Sequence, residues 1–320
     1  MEIRVLDKND LEKIKDVLSK YKYDKFIKSS LFNTSKAREY LFDKIKEFYL
    51  NNPNTTIIAK NNNEILGLIC YKKVDWDTKH FGFNSARIDY FLTKDLSYKE
   101  EINIKRDLLK NFEDWCKKEE VKFVNIKIDS NDYPSVHALN EFGFKYMATI
   151  LTPILDCRNI KDSNYSLKLR NCKDNEISII ADMAADIFRI NRFHLDDNLD
   201  KKKSDELHSE WVRNRYKENP ESVYVLEKNN EIIGFYIVTI EDLFKYFGLK
   251  ISYLDLAGVS KKHIGKGYDL PLFYGMLDIL KNKVDIVYTD FIVENTPIFN
   301  VYVKLGFRFI DSKLSLHKWF

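Results

Sequence analysis

The residues best placed to do chemistry lie toward the end of the chain. Asn295, Tyr302 and the pair Gly306-Phe307 form Asn-x6-Tyr-x3-Gly-Phe. Upstream, the apolar run Tyr253–Val259 enters the basic stretch SKKHIGKGYD, and helical periodicity resumes near Leu270. A strand that leads through glycines into a helix can cradle phosphate. Glycine lets backbone approach the ligand, and the free N–H groups of the helix start favour an anion. Gly265, Lys266, Gly267 and Tyr268 carry that reading, with Lys261, Lys262 and His263 adding positive charge. Ile264 and Asp269 are the odd members. Asp269 is expected to cap the helix, competing with a phosphate for the same donors. Tyr302 offers a phenolic proton, and Asn295, before Thr-Pro, suits a helix N-cap.

The elements that must position these groups occur twice. EIRVLDKNDLEKI (2–14) follows the same plan as SLKLRNCKDNEISII (166–180), KNNNEILGLICY (60–71) as KNNEIIGFYIV (228–238), FGFNSARIDYF (81–91) as FGLKISYLDLA (247–257), and ALNEFGF (138–144) as VYVKLGF (301–307). The pairs Asp10/Asp174, Gly67/Gly234, Asp89/Asp255 and Gly143/Gly306 are separated by 163 to 167 residues and keep one order. The chain therefore reads as two copies of one fold, joined near Asp156–Ser166. Each copy is expected to run through a short strand, helical material and a hairpin. A central strand follows (Ser85–Thr93; Ser252–Val259), then a long helix (Ile104–Lys118; Leu270–Lys281), a parallel strand (Lys122–Ile128; Ile286–Val293), a short helix and a closing strand. That is an α/β (α+β) class with a mixed, mostly antiparallel sheet and a central βαβ crossover flanked by helices in each copy.

Composition agrees with two globular domains. The chain has 320 residues, 44% apolar and 32% charged, and a net charge of +3. No basic block marks a nucleic-acid or membrane footprint. Cys70, Cys116, Cys157 and Cys172 lack metal or redox spacing, and the six histidines lack metal spacing, so no metal is expected. A reduced, cytoplasmic protein follows, with no signal-peptide pattern at Met1 and no apolar run of membrane-spanning length.

The strand, glycine loop, helix and strand, followed by Asn295, Tyr302 and Gly306-Phe307, resemble the GNAT superfamily of acyl-CoA N-acyltransferases. The resemblance covers each copy almost end to end. It implies two tandem GNAT-like domains, 1–156 and 157–320, with acetyl-CoA as co-substrate of the second. Ala257, Gly258 and Val259 would offer backbone groups to the pantetheine arm, Asn295 would bond it, and Gly265 to Asp269 would hold the pyrophosphate. Tyr302 would be the catalytic acid that protonates the departing thiolate. An N–H near Ala257–Val259 would polarise the thioester carbonyl, and Asp255 is a candidate for the base. The first copy lacks a glycine in KDLSYKEEIN (94–103) and has Leu139 and Asp132 where the second has Tyr302 and Asn295. It is expected to be non-catalytic.

The segment 184–216, with Arg192-Phe193, an acidic loop and Trp211, resembles the family of dTDP-4-amino-4,6-dideoxygalactose (dTDP-fucosamine) N-acetyltransferases. WDTKHFGFNSARI (76–88) resembles that family's front half. The resemblance implies a small-molecule amine acceptor, namely a nucleotide-linked amino sugar. Arg192 and Phe193 are candidates to hold it, with Trp76 and Phe81 alongside. A binding module that has lost transfer, and an acyltransferase for another amine, are the alternatives. No nucleic-acid or membrane partner is expected, and the protein is expected to be a monomer or homodimer.

Overall fold

The computed structural model describes residues 1–160, 167, 169–189 and 191–320. Most of the expected junction at 156–166 lies outside these residues. The chain divides into two compact units. Unit 1 comprises residues 1–149 with 311–320, and unit 2 comprises residues 150–310. No single cut in the chain separates them, because unit 1 is completed by the last ten residues.

In unit 1 the order is β1 (Glu2–Val5), α1 (Ile14–Leu18), α2 (Lys25–Lys28), α3 (Thr34–Asn51), β2 (Thr56–Asn61), β3 (Glu64–Lys73), α4 (Asp75–Phe81), β4 (Ser85–Thr93), α5 (Tyr98–Lys118), β5 (Phe123–Asp129), α6 (Tyr133–Glu141) and the start of β6 (Lys145–Asp156). Strands β1 to β4 are antiparallel neighbours, and β4 pairs parallel to β5 across the α5 crossover. The β2–β3 turn places Asn62 at φ 51°, a conformation that asparagine tolerates better than most residues. Leu41, Phe42, Ile45 and Phe48 of α3 pack with Ile58 and Leu68 on one face. Leu108, Leu109 and Phe112 of α5 pack with Ile69, Ile88 and Ile126 on the other.

Helix α5 starts at Tyr98, well before the expected Ile104. Ser97 and Glu100 form a capping box that draws the chain into helix earlier.

Unit 2 repeats the plan: β7 (Leu169–Asn171), α7 (Ile177–Ile187), α8 (Lys201–Glu218), β8 (Val223–Lys228), β9 (Glu231–Asp242), α9 (Phe244–Phe247), β10 (Lys250–Val259), α10 (Asp269–Leu280), β11 (Ile286–Tyr288), β12 (Phe291–Ile292), α11 (Thr296–Lys304) and β13 (Arg308–Trp319). Strands β7 to β10 are antiparallel, and β10 pairs parallel to β11 across α10. The later residues of β6 pair antiparallel with β11 and β12. Helices α7 and α8 cover one face through Ile180, Ala184 and Val212, and α10 covers the other through Leu272, Phe273, Met276 and Leu277. The end of β13 pairs with β5, from Lys313↔Asp129 to Trp319↔Phe123, and belongs to unit 1.

The expected strand 286–293 is interrupted. Its pairing with β10 ends at Tyr253↔Tyr288, and the chain resumes as β12 beside β6. All four cysteines are buried free thiols. Among the described residues no helix is long and apolar enough to cross a membrane, and no three His, Cys, Asp or Glu side chains converge on a metal site.

Candidate active site

Strand β10 carries one extra residue. Leu254 pairs with Val238 and Leu256 with Ile237, so Asp255 has no partner on β9. The bulge turns Asp255 and Leu256 toward the same face. There the Asp255 carboxylate accepts from Thr239 Oγ1 at 2.5 Å and from Arg215 of α8 at 3.2 Å. Burial pushes its pKa up, and Thr239 and Arg215 oppose the shift. Both donors reach Oδ2, and through them Asp255 ties the bulge to β9 and α8. Unit 1 has the same device, because Cys70 pairs with Tyr90 and Tyr71 with Ile88, leaving Asp89 unpaired.

Just past the bulge, Ala257, Gly258 and Val259 run along the edge where β10 has parted from β11. A Cβ on Gly258 would lie 2.0 Å from Ile187 Cδ1 at the end of α7, so that side chain would have to turn aside. Val259 is buried in the α10-face core, whereas Ala257 and Gly258 are half-buried.

The loop after β10 makes a 3-10 turn at Lys261–His263, held by Ser260 Oγ to His263 Nδ1 at 2.7 Å. Gly265 and Gly267 adopt φ of 77° and 80°, and nothing lies within 4 Å of a Cβ built on either. Tyr268 follows at φ −82°, ψ −11°. A left-handed residue followed by a right-handed one turns successive N–H groups to one side, as in anion-binding nests. Among the described residues the N–H groups of Gly265, Gly267 and Tyr268 take no backbone partner.

Asp269 does not cap α10. Tyr268 is the N-cap, no side chain caps the helix, and Asp269 is its first helical residue. Its half-buried carboxyl is raised in pKa by burial, with its own backbone N–H opposing. Lys266 is exposed, and Lys228 Nζ meets the Tyr268 hydroxyl at 2.6 Å. These features fit an anionic group laid against the loop. A groove of about 740 Å³ nearby mixes Lys261, Lys262, Arg170 and Lys173 with Glu176, Asp182, Asp186, Glu227 and Glu231, and Tyr302 does not line it.

Asn295 is the N-cap of α11, its Oδ1 accepting from the Ile298 N–H at 3.4 Å. Two turns on, Tyr302 points inward. Its ring packs against Phe273, Phe291 and Phe307. Burial pushes the phenol pKa well above its ordinary value, and the Thr289 and Tyr236 hydroxyls oppose the shift. Thr289 and Tyr236 were missed by motif reading. Neither belongs to a short pattern, and only a position-by-position comparison of the two repeats reveals them.

Unit 1 fills the corresponding places with its own groups. Gly67 and Gly234 face Ile104 and Leu272 respectively, which sets Lys105 opposite Phe273 in the two crossover helices. Lys105 is fully buried. Its Nζ donates to Ser135 Oγ at 2.5 Å and to the Phe91 carbonyl at 3.4 Å, and lies 3.5 Å from Asp132. Phe91 corresponds to Ala257 and Asp132 to Asn295. Burial lowers the ammonium pKa, and the nearby Asp132 charge is the main opposing influence. At the start of α5, the Glu100 carboxylate takes the Ser97 N–H, while Glu101 accepts from Thr93 Oγ1 and the Leu96 N–H. Carboxylates thus occupy donors that the loop of unit 2 leaves open.

The residues expected to meet the acceptor have local partners. The Arg192 guanidinium lies 4.6 Å from the Phe193 ring centroid, and Phe193 is buried. In unit 1, Trp76 stacks on His80 at 4.8 Å, and Phe81 is buried beside His80 and Phe83.

Two copies of a bulged strand that splays from its parallel neighbour, each with a crossover helix, constitute the tandem GNAT fold. Residues 186–307, a stretch within unit 2, match the acetyltransferase (GNAT) family. A GCN5-related N-acetyltransferase from Sphaerobacter thermophilus superposes with a TM-score of 0.66 over 99% of this chain and 95% of its own, at 10% identity. A tandem GNAT protein from the clavulanic acid biosynthesis pathway gives 0.57 over 99% and 98%, at 12% identity. A GCN5-related glucosamine N-acetyltransferase region of a fungal multi-domain GH3 beta-N-acetylglucosaminidase gives 0.66 over 99% of this chain and 38% of that one, at 13% identity. At such identities the likeness is one of fold. No curated protein matches the chain in sequence.

Proposed function

We propose that the protein is an acyl-CoA-dependent N-acetyltransferase that works through unit 2 alone. One contrast carries the reading. The same fold leaves its loop N–H groups open in unit 2 and closes the equivalent places with Glu100, Glu101 and Lys105 in unit 1. Acetyl-CoA, the co-substrate, brings a thioester carbonyl and a thiolate leaving group. The chain's part is to hold and polarise. Gly265 to Asp269 take the pyrophosphate, Asn295 and the edge Ala257–Val259 hold the pantetheine arm, and an N–H of that edge faces the carbonyl oxygen. Tyr302 supplies the proton for the leaving sulfur. A neutral small-molecule amine is the acceptor. The nucleotide-linked amino sugar rests on the resemblance of 184–216, where Arg192 offers a guanidinium for phosphate.

Calorimetry with acetyl-CoA tests the reading. One site per chain is expected, and two sites, or none, would sink it. Tyr302→Phe should bind acetyl-CoA as the wild type does, yet turn over amino-sugar nucleotides at least a hundredfold more slowly in a CoA-release assay.

A further inference from the structure

Gly258 lies in the middle of the edge Ala257–Val259, and the space over its Cα is already taken. An ideal Cβ built there would lie 2.0 Å from Ile187 Cδ1, 3.4 Å from Ile187 Cγ1 and 3.8 Å from Phe188 Cζ. Ile187 is the last residue of α7 and Phe188 is its C-cap. Both pack against the core that holds Ile180, Ala184, Phe235 and Leu256. The Phe188 ring is held on two sides. Phe235, the cross-strand partner of Gly258, meets it edge-on at 6.4 Å, and His208 stacks on it at 4.8 Å.

Unit 1 shows how the fold fills this place otherwise. The registers of the two bulged pairs bring Leu92 to the position of Gly258 and Leu68 to that of Phe235. Leu92 is buried on the α3 face with Leu68, Ile58 and Phe48. There the strand fills the space with its own side chain. In unit 2 the strand is bare at this point, and the end of a helix closes over it. The room beside the edge is therefore set by Ile187 and Phe188.

The direction of the acyl group follows from the sulfur. Tyr302 belongs to the α10-face core with Leu254, Val259 and Phe273. A sulfur that takes its proton from Tyr302 lies toward that face. Val259 points to the same core, so Gly258, the preceding residue, faces the other way. The acyl carbon is planar with three substituents. With its oxygen at the edge N–H and its sulfur on the α10 side, the remaining carbon points to the α7 side, over Gly258. Ile187 Cδ1 is the first atom that a longer chain meets there. It can turn aside, but Phe188, packed between Phe235 and His208, stands behind it.

We propose that Ile187 and Phe188 are the specificity-determining residues for acyl length and hold unit 2 to the two-carbon acetyl group. The proposal rests on the acyl-CoA-dependent function assigned to unit 2. In an apolar pocket one methylene changes discrimination about tenfold or more.

The test is calorimetry with acetyl-CoA, propionyl-CoA and butyryl-CoA on the full chain, for the wild type, Ile187→Val and Ile187→Ala. The wild type should bind butyryl-CoA at least about tenfold more weakly than acetyl-CoA. Ile187→Ala, which removes three carbons, should bring the two affinities within about threefold of each other. Ile187→Val, which removes Cδ1 alone, should recover propionyl-CoA and leave butyryl-CoA weak. Should Ile187→Ala fail to fold, the propionyl-to-acetyl ratio of Ile187→Val decides, and a ratio equal to the wild type's overturns the proposal. Equal affinity of the wild type for acetyl-CoA and butyryl-CoA overturns it too, as does one unchanged ratio across all three proteins. In each of those cases acetyl-CoA still binds, and the reading of unit 2 stands. Failure of the wild type to bind any of the three overturns that reading itself.

Discussion

His208 lies on α8 with its ring stacked on Phe188 at 4.8 Å, and its Nδ1 is buried without a hydrogen bond. Burial is the main cause that lowers its pKa to about 4; His194 adds to the shift and Asp205 opposes it. An unfolded histidine titrates near 6.5, so between these values the unfolded chain binds the extra proton. Stability from a neutral His208 is complete above that unfolded pKa. It is lost as pH falls toward the folded one, with about 2 kcal/mol gone by pH 5. Urea unfolding of unit 2 at pH 7 and pH 5 should show that loss. His208→Leu should remove most of the difference, and an unchanged difference would place the acid sensitivity elsewhere. Nothing in the sequence around His208 announced this, because its burial depends on Phe188, which lies just past a different helix.

At the scale of elements, the loop between β10 and α10 makes two opposite demands on neighbouring residues. Gly267 needs a left-handed backbone, which costs an alanine about 1–2 kcal/mol. Gly267→Ala should therefore weaken acetyl-CoA binding roughly tenfold. Asp269 places a carboxylate on the first residue of α10 without capping it, where it competes with phosphate for the same positive helix end. Asp269→Gly should tighten binding. Calorimetry on both variants decides, and unchanged affinity in both would show that this loop does not receive the pyrophosphate. The elements most legible in the sequence were those whose backbone dictates a residue. Gly143 and Gly306 repeat because both turns have positive φ, and Asp89 and Asp255 repeat because both strands bulge at that residue. Ser97-x-x-Glu100 carries the early start of α5, although the apolar periodicity is stronger further on. Tyr236 and Thr289 left no motif because they meet the core from separate segments, at separations no short pattern spans.

At the scale of the molecule, the repeat was visible but the return of the last strand was not, since nothing in a strand's own residues names the neighbour it will pair with. Residues 311–320 give unit 1 the β5 partner strand, Leu316 for its core, Trp319 against Phe123, and the Lys28–Asp311 and Lys318–Glu113 ion pairs. A chain ending at Ile310 keeps every residue of unit 2. Removing the last ten residues should therefore open unit 1 to limited proteolysis while unit 2 survives. Acetyl-CoA at a hundredfold over its Kd adds about 2.7 kcal/mol to whatever folded unit binds it. If unit 2 holds the single site, that ligand should protect a fragment beginning near Ile150 in both the truncated and the full-length chain. It should leave the digestion rate of unit 1 unchanged. Protection of unit 1 by acetyl-CoA would mean that the Lys105 cluster does not close its cleft, and equal resistance of unit 1 with and without residues 311–320 would mean that β13 is not part of its fold.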